Sequence, residues 1–199
     1  MPLVVISGCD GAGKSSLARE LESYEASYKR AHWTTFARTL RLEDDAAALV
    51  RDMRPITRAH FLLLLNWGLR DHVIEEILSP EHIVLCESYY FKFLAKERLY
   101  RRSDSRLIEE LRLLPPPDAV IDILIPPSVA FKRKIGAINE YETSTEMSDQ
   151  EGFCDFQAGI RLELDSIISS LSIPVLTLDG RESVETNAAL AHHWIRQAP

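Results

Sequence analysis

Short apolar runs alternate along the chain with longer stretches whose apolar residues recur every three or four positions. Leu3 to Ser7 is rich in branched residues and stops at Gly8, the pattern of a buried strand. From Lys14 to about Glu25 the pattern turns helical, with Leu17 and Leu21 on one face. A second strand is predicted over Ala31 to Phe36. Next comes a helical stretch from roughly Arg58 to Leu78, carrying Phe61, Leu62, Leu65, Leu69, Val73 and Ile77 at helix spacing. His82 to Cys86 reads as the third strand, and a helix-prone region runs on to Leu114, where Pro115-Pro116-Pro117 stops it. Ala119 to Ile125 is a fourth strand, closed by Pro126-Pro127, which can open the next helix. The polar, aperiodic segment from Ala137 to Glu151 reads as a long loop of the kind that forms lids. A helix over Phe153 to Leu171, a fifth strand over Val175 to Leu178 and a last helix over Ser183 to Arg196 complete the pattern. Strands alternating with helices predict an α/β fold, a five-stranded parallel sheet covered on both faces.

Length and composition narrow this picture. The 199 residues suit one domain spanning 1–199, and 46% hydrophobic with 27% charged residues is the balance of an ordinary soluble protein. No apolar run is long enough to span a bilayer and no basic leader precedes Leu3, so no membrane partner is expected. Cys9, Cys86 and Cys154 are odd in number and lack metal-ligand spacing, which suggests free thiols and a cytoplasmic location. A net charge of −7 disfavours nucleic acid as the main partner. It leaves a single local phosphate site open.

Such a site is written in "GCDGAGKSS", residues 8 to 16, which fits G-x-x-x-x-G-K-[ST] through Gly8, Gly13, Lys14 and Ser15. Glycines let successive backbone N–H groups turn inward, and the following helix adds its positive end. Lys14 supplies charge for the outer phosphates, and the Ser15 hydroxyl can ligate magnesium. The alternative is a glycine-rich turn with no ligand. Glu87, ending an apolar strand in "VLCESYYFKF", gains a reason from this cradle. Ligands of doubly wound sheets gather at the carboxyl ends of strands, where Glu87 can hold magnesium directly or through water. An exposed helix N-cap is its plainer reading. Lys96, Arg98, Arg101, Arg102 and Arg106 form a basic patch that reads first as a solvated helix face. His192 and His193 point apart on a helix, as structural or surface residues do, and Cys9 is as well explained as a filler.

With "GCDGAGK" and "CESYY" both present, the chain resembles the thymidylate kinases and related nucleotide kinases over nearly its whole length. "HFLLLLNWGLRDHVIEEIL" is similar to that family's long helix, "PDAVIDILIPPSVAFKR" to its fourth strand and following turn, and "FCDFQAGIRLELDSI" to the helix after its lid. The resemblance implies a P-loop NTPase fold with a lid at about 137–151, and ATP and Mg2+ as cofactors. It implies that Gly8, Asp10, Gly11, Ala12, Gly13, Lys14, Ser15, Ser16 and Arg133 hold ATP, with Ser15 and Glu87 on the metal. Lys14, Asp10 and Glu87 would be catalytic, and Asp10, Arg38, Asn66, Arg70 and Tyr89 would meet the acceptor. Asp10 corresponds to a carboxylate that touches the acceptor's sugar 3'-hydroxyl. Dimerisation is suggested by the resemblance and by the apolar long helix.

Departures fall on the acceptor side. Relatives carry Asp-Arg-Tyr where this chain has Glu87-Ser88-Tyr89, so the acceptor phosphate loses an arginine. The base-stacking phenylalanine of the long helix falls at Leu65 or Asn66, and alignment by Val73 sets Leu69 where Arg70 should stand. No arginine lies between Gly136 and Gly159. The expectation is ATP use with an acceptor that need not be thymidylate. It is a nucleotide or another small molecule, and a nucleoside or other hydroxyl compound is the alternative. A nucleotide-binding regulatory module without transfer is a third reading.

Overall fold

The computed structural model describes residues 3–42, 50, 52–138, 142–143 and 149–197. Its centre is a five-stranded parallel sheet in the order β2-β3-β1-β4-β5, formed by β1 (Leu3–Gly8), β2 (Tyr28–Ala31), β3 (Ile83–Glu87), β4 (Ala119–Leu124) and β5 (Val175–Asp179). Parallel neighbours need crossovers, which are supplied chiefly by α1 (Lys14–Tyr24), α3 (Pro55–Leu69), α4 (Tyr89–Tyr100) and α7 (Gln150–Ser169), and α8 (Val184–Gln197) follows the last strand. Shorter pieces are α2 (Trp33–Thr39), α5 (Ser105–Ile108) and α6 (Pro127–Lys134). The fold is that of a P-loop NTPase.

Strand alternation divides the core. Val5, Val84, Cys86 and Val120 face α3, α4 and α7 through Leu62, Leu94 and Ile160. Val4, Ile6, Leu85 and Ile121 face α1 and α8 through Leu17, Leu21, Ala188 and Ala191. With both faces covered, the inner strands are nearly continuous apolar runs, as parallel sheets require. Among the described residues no helix is long and apolar enough to cross a membrane.

Several elements differ from the sequence pattern. The second strand is Tyr28–Ala31, and Trp33–Thr39, read as strand, is helical. His32 caps that helix by accepting from the Thr34 N–H. The Phe36 ring stacks on His72, with centroids 5.5 Å apart. A Cβ on Gly68 would come within 2.0 Å of this ring, so glycine allows the close packing. Tertiary burial thus overrides the strand propensity of the Trp-Thr-Thr-Phe run. The long helix starts at Pro55, three residues before the expected Arg58, and passes into a π segment at Arg70–Ile74 before a last turn at Glu75–Ile77. A π turn inserts one residue. The registers set by Arg70 and by Val73 differ by that same increment. The helix-prone region after β3 breaks at Arg101, whose φ is +52°, and resumes as α5 and a 3-10 turn at Glu109–Leu113. Of the expected lid at 137–151, most lies outside the described residues.

A buried ion pair ties α3 to α4. Arg58, 1% exposed, donates from Nε to Glu97 Oε2 at 2.8 Å and from its terminal nitrogen to Glu97 Oε1. Ser103 also donates to Glu97, at 2.6 Å. Removing one partner leaves the other charge buried. Glu97→Ala is therefore expected to lower stability by about 3–5 kcal/mol in urea unfolding. A loss below about 1 kcal/mol, the range of exposed pairs, would show that solvent reaches Arg58.

Candidate active site

The sheet order places the site. β1 and β3 are adjacent, with Ile6 in register with Glu87, so the loop leaving Gly8 and the acid ending β3 emerge side by side. Chain connections depart in opposite directions from this point, where doubly wound sheets bind ligands. A cleft of about 530 Å³ opens here. It is lined by the loop from Asp10 to Ser16, by Glu87 and Lys92, and by Arg133 and Lys134 of α6.

The loop's shape follows from its glycines. Gly8, Gly11 and Gly13 have φ of +141°, +82° and +98°. A Cβ on Gly11 would stand 2.8 Å from the Ala130 carbonyl oxygen. Lys14 opens α1, and its ammonium donates to the Gly8 and Cys9 carbonyls at 2.9 and 2.8 Å. Burial, followed by repulsion from Lys92, lowers its pKa to about 8. Ser15 donates its hydroxyl to Glu87 Oε2, and Arg30 lies 3.9 Å from Glu87 Oε1. Cys9 is buried, which raises its thiol pKa.

The turn after Glu87 is strained. Ser88 and Tyr89 have φ of +68° and +42°, values that residues with a Cβ rarely adopt. The turn sets α4 beside the phosphate loop. Lys92 and Lys96, four apart and so on one helical face, both reach Asp10. Lys92 pairs with Asp10 Oδ1, and Lys96 lies 3.0 Å from Oδ2. Gln157 of α7 accepts from the Asp10 N–H at 2.9 Å and donates to Oδ2 at 3.4 Å. Burial alone would raise the Asp10 carboxyl, but Lys92, Lys96 and Lys14 hold it well below the usual carboxylate range.

The expected residues separate into two groups. Asp10, Gly11, Ala12, Gly13, Lys14, Ser15, Ser16, Glu87 and Arg133 all line the cleft, and Gly8 leads into it. Arg38, expected at the end of a strand, is instead exposed on α2 because that segment is helical. Asn66 is fully buried and donates to the Leu62 carbonyl at 2.8 Å, which leaves Oδ1 without a partner. Arg70 pairs with Glu75. Tyr89 is packed in the core and donates to the Pro115 carbonyl at 3.1 Å. None of these four lines the cleft. Lys96, read with the solvated basic face, is buried against Asp10, and Arg98 of the same patch pairs with Glu109 and Glu163. His192 accepts or donates with the Tyr28 hydroxyl at 2.9 Å, while His193 meets Gln197.

Sequence reading missed Lys92, Gln157 and His32. The four-residue spacing in "KFLAK" was the available signal for a lysine pair. Gln157 carried none, because its contact joins residues 147 positions apart.

The site fits the cofactors that its loop suggests. Inward-turned backbone and a buried lysine match a polyphosphate. Among the described residues no group of three or more His, Cys, Asp or Glu could cage a metal. Magnesium needs no such cage, since it keeps several waters and takes one or two protein oxygens beside the phosphates. Ser15 Oγ and Glu87 offer that set.

No protein-family model matches the chain. It is 27% identical over 179 residues to a thymidylate kinase of Desulfotalea psychrophila (strain LSv54 / DSM 12343), covering 87% of this chain and 83% of the relative. The similarity is to thymidylate kinase-like proteins at most and points to a nucleotide kinase in general.

The loop yields one structural prediction. Gly11→Ala adds a Cβ against the Ala130 carbonyl at a left-handed φ, so unfolding experiments are expected to show a loss of about 1–3 kcal/mol. Wild-type stability would mean that the loop relaxes freely away from α6.

Proposed function

We propose that the protein transfers the γ-phosphate of ATP to a nucleoside monophosphate, with Mg2+. One observation carries this reading: Lys14, Ser15 and Glu87 converge on a single cleft at the carboxyl ends of β1 and β3. The distant thymidylate kinase relative supports it.

Each residue then has a defined task. Backbone N–H groups from Gly11 to Ser15 receive the phosphates, and the start of α1 adds its dipole. Lys14 spends two of its three protons on loop carbonyls, which fixes the ammonium in place and leaves the third for a phosphate oxygen. Ser15 and Glu87 hold the metal position, their mutual hydrogen bond keeping both oxygens on the same side of the cleft. When bound, magnesium neutralises charge on the transferred group. Arg133 adds a cation at the rim. Phosphoryl transfer asks mainly for such positioning and charge. A monophosphate acceptor, already ionised, needs no base.

The long helix also exposes Ile56, Leu64 and Trp67, which supports a homodimer through that face. Light scattering is expected to give twice the chain mass, falling to one chain mass in Trp67→Glu. A monomeric wild type would exclude it.

Turnover is tested with ATP, Mg2+ and a panel of deoxynucleoside monophosphates, nucleosides and no acceptor. Acceptor-dependent ADP release with a monophosphate is expected, and Lys14→Ala should reduce it by about 10²–10³-fold. Release with nucleosides only would favour a hydroxyl kinase. Tight ATP binding with no turnover would favour a regulatory module.

Lys14 gives the pH dependence. It is charged below about 8 and neutral above, so affinity for an ATP analogue is expected to be level at neutral pH and to fall as pH rises through that value. A flat profile to pH about 9.5, well past this value, would contradict a phosphate role for Lys14.

A further inference from the structure

The resemblance assigned Asp10 to an acceptor hydroxyl, and the structure does not leave it in a state suited to that. One carboxylate oxygen is held by Lys92, and the other has Lys96 at 3.0 Å and the Gln157 amide at 3.4 Å. Lys92, Lys96 and Gln157 take three of its roughly four acceptor sites, and the carboxylate is only 4% exposed, so a hydroxyl finds little of it to meet.

The two lysines differ in access. Lys96 is 10% exposed and is not among the residues lining the cleft. Lys92 keeps 24% of its side chain open and lines the cleft beside Asp10 and Lys14. An ammonium has three donors, and Asp10 uses one of them on Lys92. The remaining donors face a space that also holds the Lys14 ammonium. Other charges around Lys92 are those of Asp10 and, farther off, Glu142, which itself pairs with Lys134. Lys92 stands one helical turn beyond Ser88, the uncharged residue that caps α4. The cleft therefore carries a second fixed, partly desolvated cation close to Lys14, on the side where a group receiving phosphate from ATP has to stand in line with it.

We propose that Lys92 is the docking residue for a phosphate monoester carried by the acceptor, with Asp10 acting as its anchor rather than as a hydroxyl acceptor. This rests on the kinase reading and adds to it the residue that meets the acceptor's phosphate. Asp10 and Gln157 hold the lysine from behind, so its ammonium is positioned before the acceptor arrives. An unphosphorylated nucleoside offers that cation only neutral oxygens, which bind an ammonium more weakly than a phosphate does.

The test is calorimetric binding to the protein with its glycine loop first filled by a nonhydrolysable ATP analogue and Mg2+. The probes are inorganic phosphate, thymidine 5'-monophosphate, thymidine 3'-monophosphate and thymidine. At least one monophosphate is expected to bind about tenfold or more tightly than thymidine, and the two isomers tell which ester position is read. Lys92→Gln should remove that advantage and weaken inorganic phosphate by a similar factor, while Lys92→Arg, which keeps the charge, should retain most of it. Analogue affinity is measured in all three proteins, so that the probes are compared at equal filling of the loop. Phosphate probes binding no better than thymidine, or binding unchanged in Lys92→Gln, would overturn the proposal. Failure of the analogue to bind counts against the kinase reading alone. The same probe comparison is then made on the free protein, where Lys14 is common to every variant.

Discussion

The parallel pairing of β1 with β3 is the constraint on which the site depends. Its register sets Ile6 against Glu87, so the glycine loop and the acid leave the sheet as neighbours although 79 positions separate Gly8 from Glu87. A slip of one residue would turn Glu87 into the opposite core layer. Both layers resist that slip, because Val5 and Val84 are buried against one set of helices and Ile6 and Leu85 against the other. Apolar burial far from any chemistry thus fixes the geometry of the Ser15–Glu87 hydrogen bond.

A second constraint comes from charge. The protein is acidic overall, at −7, yet its cleft gathers Lys14, Lys92, Arg133 and Lys134. Buried cations need counter-charges. Asp10 and Glu142 supply them to Lys92 and Lys134. The desolvation that lowers Lys14 to about 8 is the same condition that strengthens its attraction for an anion.

The glycine-loop side of the cleft was legible in the chain because its information is local. Glycines at 8, 11 and 13, a lysine and a serine lie within nine residues, and the glycines are required by backbone angles. Strand and helix order was legible for the same reason, since periodicity survives without tertiary context. The surroundings of the residues expected to meet an acceptor were not. Trp33 to Phe36 has the composition of a strand and becomes helix because Phe36 finds His72 across Gly68. Arg38 turns outward as a consequence. Asn66 and Tyr89 matched by position in the sequence, but burial takes both into the core. Lys96 looked like one of many surface charges until packing brought Asp10 to it.

The Arg58–Glu97 pair has a mechanical consequence. It rivets α3 and α4 together at a depth where water cannot substitute for either partner. The two helices are thereby held as one rigid pair, while α6 carries Arg133 and Lys134 into the opening of the cleft.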